Sequence, residues 1–446
     1  KVGQYNRAFA KQRCAAVDKD LKANGSGLTV ASARKWYMEG EKWKRGMRTK
    51  NSAKLSEFSG WMADFDPAHH SLEVPGQYGG LPNAPPCVSQ HSRIVSFGSE
   101  VLVMRSMRFP KRLTIHADDE RDHMFLVKGG EDLRLDERVE QVFDVMNSLL
   151  ALSASCARSC LSNRTYKVVP MTTDIGLIEW VKDTRPLKGV IEAGLGGREL
   201  SKLEAHKHYI NWMGGDLGRE RYHKMFKESS RQQVEETFNA CVSMIPGNAL
   251  RHHLLTMAPG PEAFLTVRGG FARSLAVLSI CSYVLGIGDR HLDNFLLDTS
   301  SGSVVGIDFG AAFGFGTSEL GVPELIPFRL TNQFQNLLQP LDSVGLLKGH
   351  MISTMQALRG GWEVLLSTMD VFLNEPIIDW VEGVTNRQRG KKGTLHSVGS
   401  LEGVERRSQP PEAAQHKVNS ARRKLEGDHP ADILIKDLEQ ARMGGH

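Results

Sequence analysis

The apolar positions fall into two regimes. Short β-type runs occupy 93–97, 101–104, 112–116 and 124–128. After them Val139, Val142, Phe143, Met146, Leu149 and Leu150 recur at spacings of three and four, which predicts a long amphipathic helix. Two more strands are predicted at 166–169 and 176–181. From 183 to 386 the pattern is largely helical, interrupted by loops and by a short strand around 304–307. The most apolar stretch, 275–285, is broken by Ser279 and Ser282 and reads as a buried core helix. No apolar run reaches the ~20 residues a spanning helix needs. Five or six strands with one helix, followed by a helical remainder, predict an α+β chain with a small β-rich N-lobe and a larger helical C-lobe.

The flanks differ from this middle. Residues 1–70 read as a helical, basic lead-in, with Trp36, Trp43, Met47 and Leu55 set among Lys35, Lys42, Lys44, Arg45, Arg48 and Lys50. A loop rich in Pro and Gly over 75–86 marks a boundary. After Arg387 the chain turns polar, carries Pro410 and Pro411, and is expected to be loop or disordered up to a short helix at 431–442. Four segments are therefore expected: the lead-in 1–70, an N-lobe 71–182, a C-lobe 183–386 and a polar tail 387–446.

Composition narrows the class. The 446 residues are 40% hydrophobic and 24% charged, which excludes a wholly disordered chain, a collagen and a coiled coil. Lys and Arg number 56 against 51 Asp and Glu, an excess of five that does not by itself argue for nucleic-acid binding. The six cysteines form no C-x-x-C pair and read as free, buried thiols of a reducing compartment. The opening residues Lys1-Val2-Gly3 lack both an initiating Met and an apolar leader, so the chain reads as a fragment without a signal peptide.

The chemistry concentrates in two places. Gly286-Ile287-Gly288-Asp289-Arg290-His291-Leu292-Asp293-Asn294 follows the apolar helix directly, and Asp308-Phe309-Gly310 comes nineteen residues after Asp289. Phosphoryl transfer needs this set. One carboxylate, Asp289, orients the attacking hydroxyl and accepts its proton. The Asn294 amide oxygen and the Asp308 carboxylate are hard ligands for Mg²⁺ on the nucleotide phosphates. Upstream, Lys128 ends a predicted strand and can reach the α- and β-phosphates of ATP if an acid holds it; Glu131 or Asp136 can supply that acid. A GxGxxG loop is missing from the preceding hairpin, where residues 104–111 stand instead. The order Asp-Arg-His also reverses the His-Arg-Asp of ordinary protein kinases.

Both departures point one way. The chain resembles the phosphatidylinositol 3-kinase-related protein kinases, densely over 72–329 and on to about Trp380. The resemblance rests on 72–78 (LEVPGQY), 125–134 (FLVKGGEDLR), 176–180 (GLIEW), the 288–294 loop, 322–331 (VPELIPFRLT) and 368–372 (TMDVF). It implies a protein-kinase-like two-lobed fold that uses ATP with Mg²⁺, or Mn²⁺. Trp180 and Val181 would meet adenine at the hinge, Tyr166, Leu296 and Ile307 would wall its slot, and Ser106 would lie over the phosphates. His291 would either steady charge at the γ-phosphate or share the proton with Asp289. Phe309, Gly310, Pro323, Glu324 and Pro327 would belong to the activation segment, and Ser or Thr followed by Gln would be the substrate. The segments 72–78, 176–180 and 368–372 tilt the match toward a member of the DNA-damage response. That member implies a nuclear enzyme acting in double-strand break repair by non-homologous end joining, with DNA ends and the Ku heterodimer as partners of the full-length protein and no membrane. Ala311 departs from that member. The match thins after Trp380 and reappears near 421–425, and a FATC segment is not recognisable before His446. Without that segment and upstream helical regions, the chain is expected to be a poor kinase.

Two competing readings carry less. A phosphoinositide kinase needs cations for its polyanionic head group, yet 310–328 holds no Lys or Arg and contains Glu319 and Glu324. A catalytically dead scaffold would be expected to lose Lys128, Asp289, Asn294 or Asp308, and all four are present.

Overall fold

The computed structural model describes residues 51–79, 87–104, 106, 108–215, 219–318, 320, 323–373 and 411–443. The fold is α+β, rich in sheet towards the N-terminus and helical beyond it. Two compact units divide the chain. One ends at Glu137 and takes up Tyr166–Val181; the other holds Arg138–Thr165 and everything from Lys182.

The first unit is built on an antiparallel sheet. Its strands are β1 (Ser52–Lys54), β2 (Ile94–Phe97), β3 (Glu100–Val103), β4 (Lys111–Ala117), β5 (Asp122–Gly129), β6 (Val168–Pro170) and β7 (Ile175–Glu179), ordered β1-β3-β4-β5-β7-β6 with β2 alongside β4. The alternation of β4 turns Leu113, Ile115 and Ala117 inward, where they meet Leu55, Val74, Ile94, Val101, Phe125 and Leu177. The β5–β7 register sets Lys128 opposite Gly176. A Cβ on Gly176 would stand 2.7 Å from Leu133 Cδ1 and 3.0 Å from the Val169 carbonyl, so this point of the sheet needs a residue without a side chain.

Helix α1 (Arg134–Leu152) buries Val139, Val142, Phe143, Met146 and Leu150, matching the predicted stripe; Leu149 is only half-buried. The division between the units falls within this helix. The second unit continues with β8 (Thr184–Pro186), α2 (Leu187–Gly194), α3 (Glu204–Trp212), α4 (Arg219–Glu228), α5 (Arg231–Ser243), α6 (Ala249–Met257) and α7 (Pro261–Leu285). Strands β9 (Phe295–Asp298) and β10 (Val304–Gly306) follow and join β8 in a small antiparallel sheet, ordered β10-β9-β8. Then come α8 (Asn332–Leu338), α9 (Gly349–Gly360), α10 (Trp362–Leu373), α11 (Pro411–Glu426) and α12 (Pro430–Met443). The core lies where α2, α6 and α8 pack around α7, with Phe271, Leu275, Phe334 and Leu250 fully buried.

Helix α7 spans 25 residues and is apolar enough to cross a membrane by length and composition, which corrects the shorter stretch read from sequence. It is instead the core helix of its unit, buried over most of its length. Pro261 opens it at a position whose N–H has no helical partner anyway. Gly286 ends it with φ 61°, in the left-handed region, and the Ile287 N–H turns back to the Ser282 carbonyl at 2.9 Å.

Other expectations need correcting. The part of the helical lead-in that is described, 51–70, holds strand β1, a 3₁₀ turn at Leu55–Glu57 and only a four-residue helix; positions 1–50 lie outside the described residues. Cys87 and Cys160 are exposed, whereas Cys156 and Cys281 are buried. The tail is not wholly loop: α11 precedes the expected terminal helix, and it buries Val418, Ala421 and Leu425. Its apolar positions are too few for a clear period, so packing against the rest of the unit decides its fold.

Candidate active site

The second unit assembles one constellation from three stretches of chain. The first is the loop that leaves α7 at Gly286. Asp289 sits in it with φ 57°, a left-handed conformation that non-glycine residues rarely adopt. Asn294 closes a 3₁₀ turn at Leu292–Asn294, its N–H bonded to the His291 carbonyl at 2.9 Å. Its side-chain Nδ2 donates to the Asp289 carbonyl at 2.8 Å, which commits the nitrogen and leaves Oδ1 as the amide's ligand atom. The second stretch leaves β10. The Ile307 N–H donates to the Asn294 carbonyl at 3.1 Å, so Asp308 begins one residue away from the loop carrying Asn294. Asp308 also has a left-handed φ, 60°. Two such residues in one site store strain that the surroundings must hold.

Arg290 does much of that holding. It is buried, and its guanidinium donates to the carbonyls of Gly288 and Ile307, both at 2.9 Å, and to that of Asp308. It also lies 5.3 Å from the centre of the Phe309 ring, which packs edge-on against Phe143. Phe309 is thereby an anchor for the residue before it, and Gly310 beside it is also buried.

The third stretch is the one after Phe309, expected from the sequence to be the activation segment. Phe313 and Gly314 donate backbone bonds to the carbonyls of Leu285 and Gly286, and Gly288 donates to that of Ala311. Glu324 Oε2 accepts the Asp289 N–H at 2.9 Å. A Cβ at Gly288 would stand 2.6 Å from that same oxygen and from Gly316 Cα, so glycine is required where these backbones meet. Arg329 Nε donates to the Arg290 carbonyl; burial pulls the Arg329 pKa down, and the charge of Glu324 pushes it back up. Asp289 is half-buried, whereas His291 and Asp308 are exposed to solvent. Pro323 is half-buried and Pro327 exposed. Val322 lies outside the described residues. Leu296 and Ile307 are half-buried, Leu296 pairing with Val305 and Pro186 in the small sheet.

The first unit supplies the other expected residues. Lys128 Nζ lies 3.2 Å from Glu131 Oε1, and Arg108 Nε lies 3.5 Å from Glu131 Oε2, so Glu131 is an acid in place beside the lysine. Asp136 is buried at the start of α1. The Trp180 N–H donates to the Met124 carbonyl at 2.9 Å, and the Arg112 guanidinium stands 5.3 Å from the Trp180 ring. Tyr166 is buried and Val181 half-buried. Ser106 is exposed, its N–H bonded to the Met104 carbonyl at 3.1 Å.

The donor set suits a small hard cation. Among the described residues no group of three or more His, Cys, Asp or Glu could hold a metal. A cation at Asn294 and Asp308 would have one amide oxygen and one carboxylate, the sparse set Mg²⁺ uses when phosphate oxygens and waters complete its shell. Arg290 and Arg329 escaped the sequence reading of the site. Arg290 stands inside the motif, but nothing in the spacing says where its side chain turns.

Residues 123–382 match the family described as phosphatidylinositol 3- and 4-kinase. The chain is 39% identical over 478 aligned positions to a DNA-dependent protein kinase catalytic subunit from Dictyostelium discoideum, an alignment covering 99% of this chain and 11% of that protein. It is 41% identical to the protein of the same name from Gallus gallus, over 87% of this chain and 9% of that one. It is 33% identical to the serine/threonine-protein kinase TOR of Arabidopsis thaliana, over 69% of this chain and 12% of that one. The chain thus spans about a tenth of the length of the curated relatives it matches. Its fold is shared with the FAT and kinase domain of CtTel1, with TM-score 0.61 at 23% identity, over 91% of this chain and 29% of that one. The chain belongs to the phosphatidylinositol 3- and 4-kinase family and, within it, to the phosphatidylinositol 3-kinase-related protein kinases.

Proposed function

We propose that this chain is the catalytic part of an ATP-dependent serine/threonine protein kinase. The observation that carries the reading is the linkage of Asp289, Asn294 and Asp308 through Arg290 and shared backbone bonds within one unit. Asp289 orients the substrate hydroxyl and accepts its proton. His291, exposed two residues later, either steadies the γ-phosphate charge or shares that proton. Lys128, braced by Glu131, holds the α- and β-phosphates, with Ser106 over them. Tyr166, Trp180, Val181, Leu296 and Ile307 enclose the adenine. Asn294 and Asp308 hold Mg²⁺, or Mn²⁺ in its place. Such an ion would supply positive charge to offset the negative charge of the phosphates.

The substrate reading is Ser or Thr followed by Gln, with 321–331 as the floor for that glutamine. By their apolar chemistry Val322, Leu325, Ile326 and Phe328 suit an aliphatic stem better than a charged side chain. The lack of Lys and Arg over 310–328 argues against a phosphoinositide head group. Relatives named for DNA dependence, matched over most of the chain, support a nuclear role in double-strand break repair by end joining. DNA ends and the Ku heterodimer would then be partners of the full-length enzyme. The test is Mg²⁺-dependent ATP binding followed by phosphate transfer to a Ser-Gln peptide and, in parallel, to phosphoinositide vesicles. Transfer to the peptide alone is expected. Transfer to lipid alone, or to neither by the longest natural chain containing these residues when it binds ATP, would overturn the reading.

A further inference from the structure

A cavity of about 290 Å³ opens beside the catalytic loop, entirely within the second unit. Gly288, Gly316, Glu324 and Ile326 line one side, and Ile433 and Asp437 of α12 line another. Two polar groups in its wall lack ordinary partners. The Ser282 hydroxyl is buried without a hydrogen bond among the described residues. Lys424, on α11, is buried, and its ammonium has no hydrogen bond or ion pair among the described residues; it lies 5.2 Å from the centre of the Tyr283 ring. The two carboxylates of the wall are already engaged: Glu324 accepts the Asp289 N–H, and Asp437 accepts from His416 Nε2 at 3.2 Å.

The unmet need is therefore for a hydrogen-bond acceptor. A carboxylate would bring a third negative charge beside Glu324 and Asp437, against the single cation. A carboxamide brings the acceptor without the charge, and its NH₂ can donate to Ser282 Oγ. The aliphatic stem would lie along Ile287, Leu325 and Ile326. Gly288 of the wall directly precedes Asp289, the residue proposed to orient the phosphoacceptor, so the cavity adjoins the place where the next substrate residue would lie.

We propose that Lys424 and Ser282 are specificity-determining residues that read the carboxamide of the substrate residue following the phosphoacceptor. The proposal rests on the kinase reading above and adds to it the groups that select the amide. A buried hydrogen bond from a cation, once removed, costs roughly tenfold or more in binding.

The experiment uses the longest natural chain containing these residues, with dye-labelled peptides carrying Gln, Glu or Leu after the serine. Peptide Kd is read by fluorescence anisotropy and phosphate transfer is followed separately. The wild type should bind Gln in preference to both Glu and Leu. In Lys424→Met the Gln-over-Leu ratio should fall about tenfold, and in Ser282→Ala about threefold. A ratio within twofold of wild type in folded Lys424→Met overturns the proposal, as does a wild type that prefers Glu or shows no preference. If Lys424→Met does not fold, by circular dichroism, Ser282→Ala decides: a lowered ratio supports the proposal and an unchanged one overturns it. Absence of phosphate transfer to every peptide would instead strike the kinase reading, because the binding ratio is scored without turnover.

Discussion

The carboxylate of Glu324 accepts the backbone N–H of Asp289 at 2.9 Å, across 35 residues of sequence. The bond ties the segment proposed to carry the substrate to the residue proposed to take its proton. Asp289 has a left-handed φ, so its amide needs a fixed partner to hold that conformation. Glu324→Ala should therefore lower kcat by roughly 10- to 100-fold, the scale of an ångström-sized misplacement. Glu324→Gln keeps an acceptor oxygen and should recover most of the loss. Steady-state kinetics on both variants checks this, and equal loss in Ala and Gln would show that charge, not the bond, matters.

Replacing Asp289 itself tests the base. Asp289→Ala should reduce turnover by about 10²–10⁴-fold, the range for a positioned acid–base group. ATP affinity, measured by equilibrium binding, should stay close to wild type, whereas Asp308→Ala should weaken Mg²⁺-dependent ATP binding. Full turnover in a clean Asp289→Ala variant would remove it from the mechanism.

Arg290 offers a test that needs no substrate. Its guanidinium satisfies the carbonyls of Gly288, Ile307 and Asp308 from a buried position. Arg290→Met keeps the stem and strands those acceptors, so stability should drop by roughly 2–4 kcal/mol. Hydrogen exchange should speed up over 286–296 and 307–316 while α2 stays protected. Uniform exchange across the unit would mean a general loss of packing instead.

Lys424 makes a prediction about pH. Burial pulls its pKa from 10.5 down to about 8, with the charge of Asp437 opposing the fall. Between these values the unfolded chain carries a proton that the folded chain has released, so stability should rise with pH there. Tyr283 and Cys281, both pushed up by burial (Cys281 to about 12), work the other way once the free groups ionise, so the lysine is read from the difference in slope between wild type and a variant that lacks it. In urea titrations Lys424→Met should show a less positive change of stability with pH than wild type between about pH 8 and 10, and gain about 3 kcal/mol at pH 7, where the buried lysine is charged. A Met variant with the same slope as wild type would place the titration elsewhere.

Much of the site was legible because its members are close in sequence and of fixed type. Asp289, Asn294 and Asp308 fall within twenty residues, on either side of the short strands β9 and β10, and their order is what suggests the chemistry proposed for them. The stripe of α1 was legible for a similar reason: a period of 3.6 is a local property of the chain. The small strands β1 and β8, of three residues each, carry no such period, since pairing with β3 and β9 is what makes them strands.

By itself the sequence determined the α+β plan and pointed to the residues proposed to perform phosphoryl transfer and to the lysine proposed to accompany them. Backbone preference, periodicity and side-chain chemistry act over a few residues, and a reader of one chain can follow them. Only the tertiary structure decided that Glu324 meets the Asp289 amide, that Arg329 meets the Arg290 carbonyl 39 residues earlier, and that Lys424 of the tail enters a cavity beside Gly288. Such contacts are fixed by packing between elements far apart in the chain. A buried arginine and a solvated one look identical in sequence, and the difference arises only when neighbouring backbones close over the side chain.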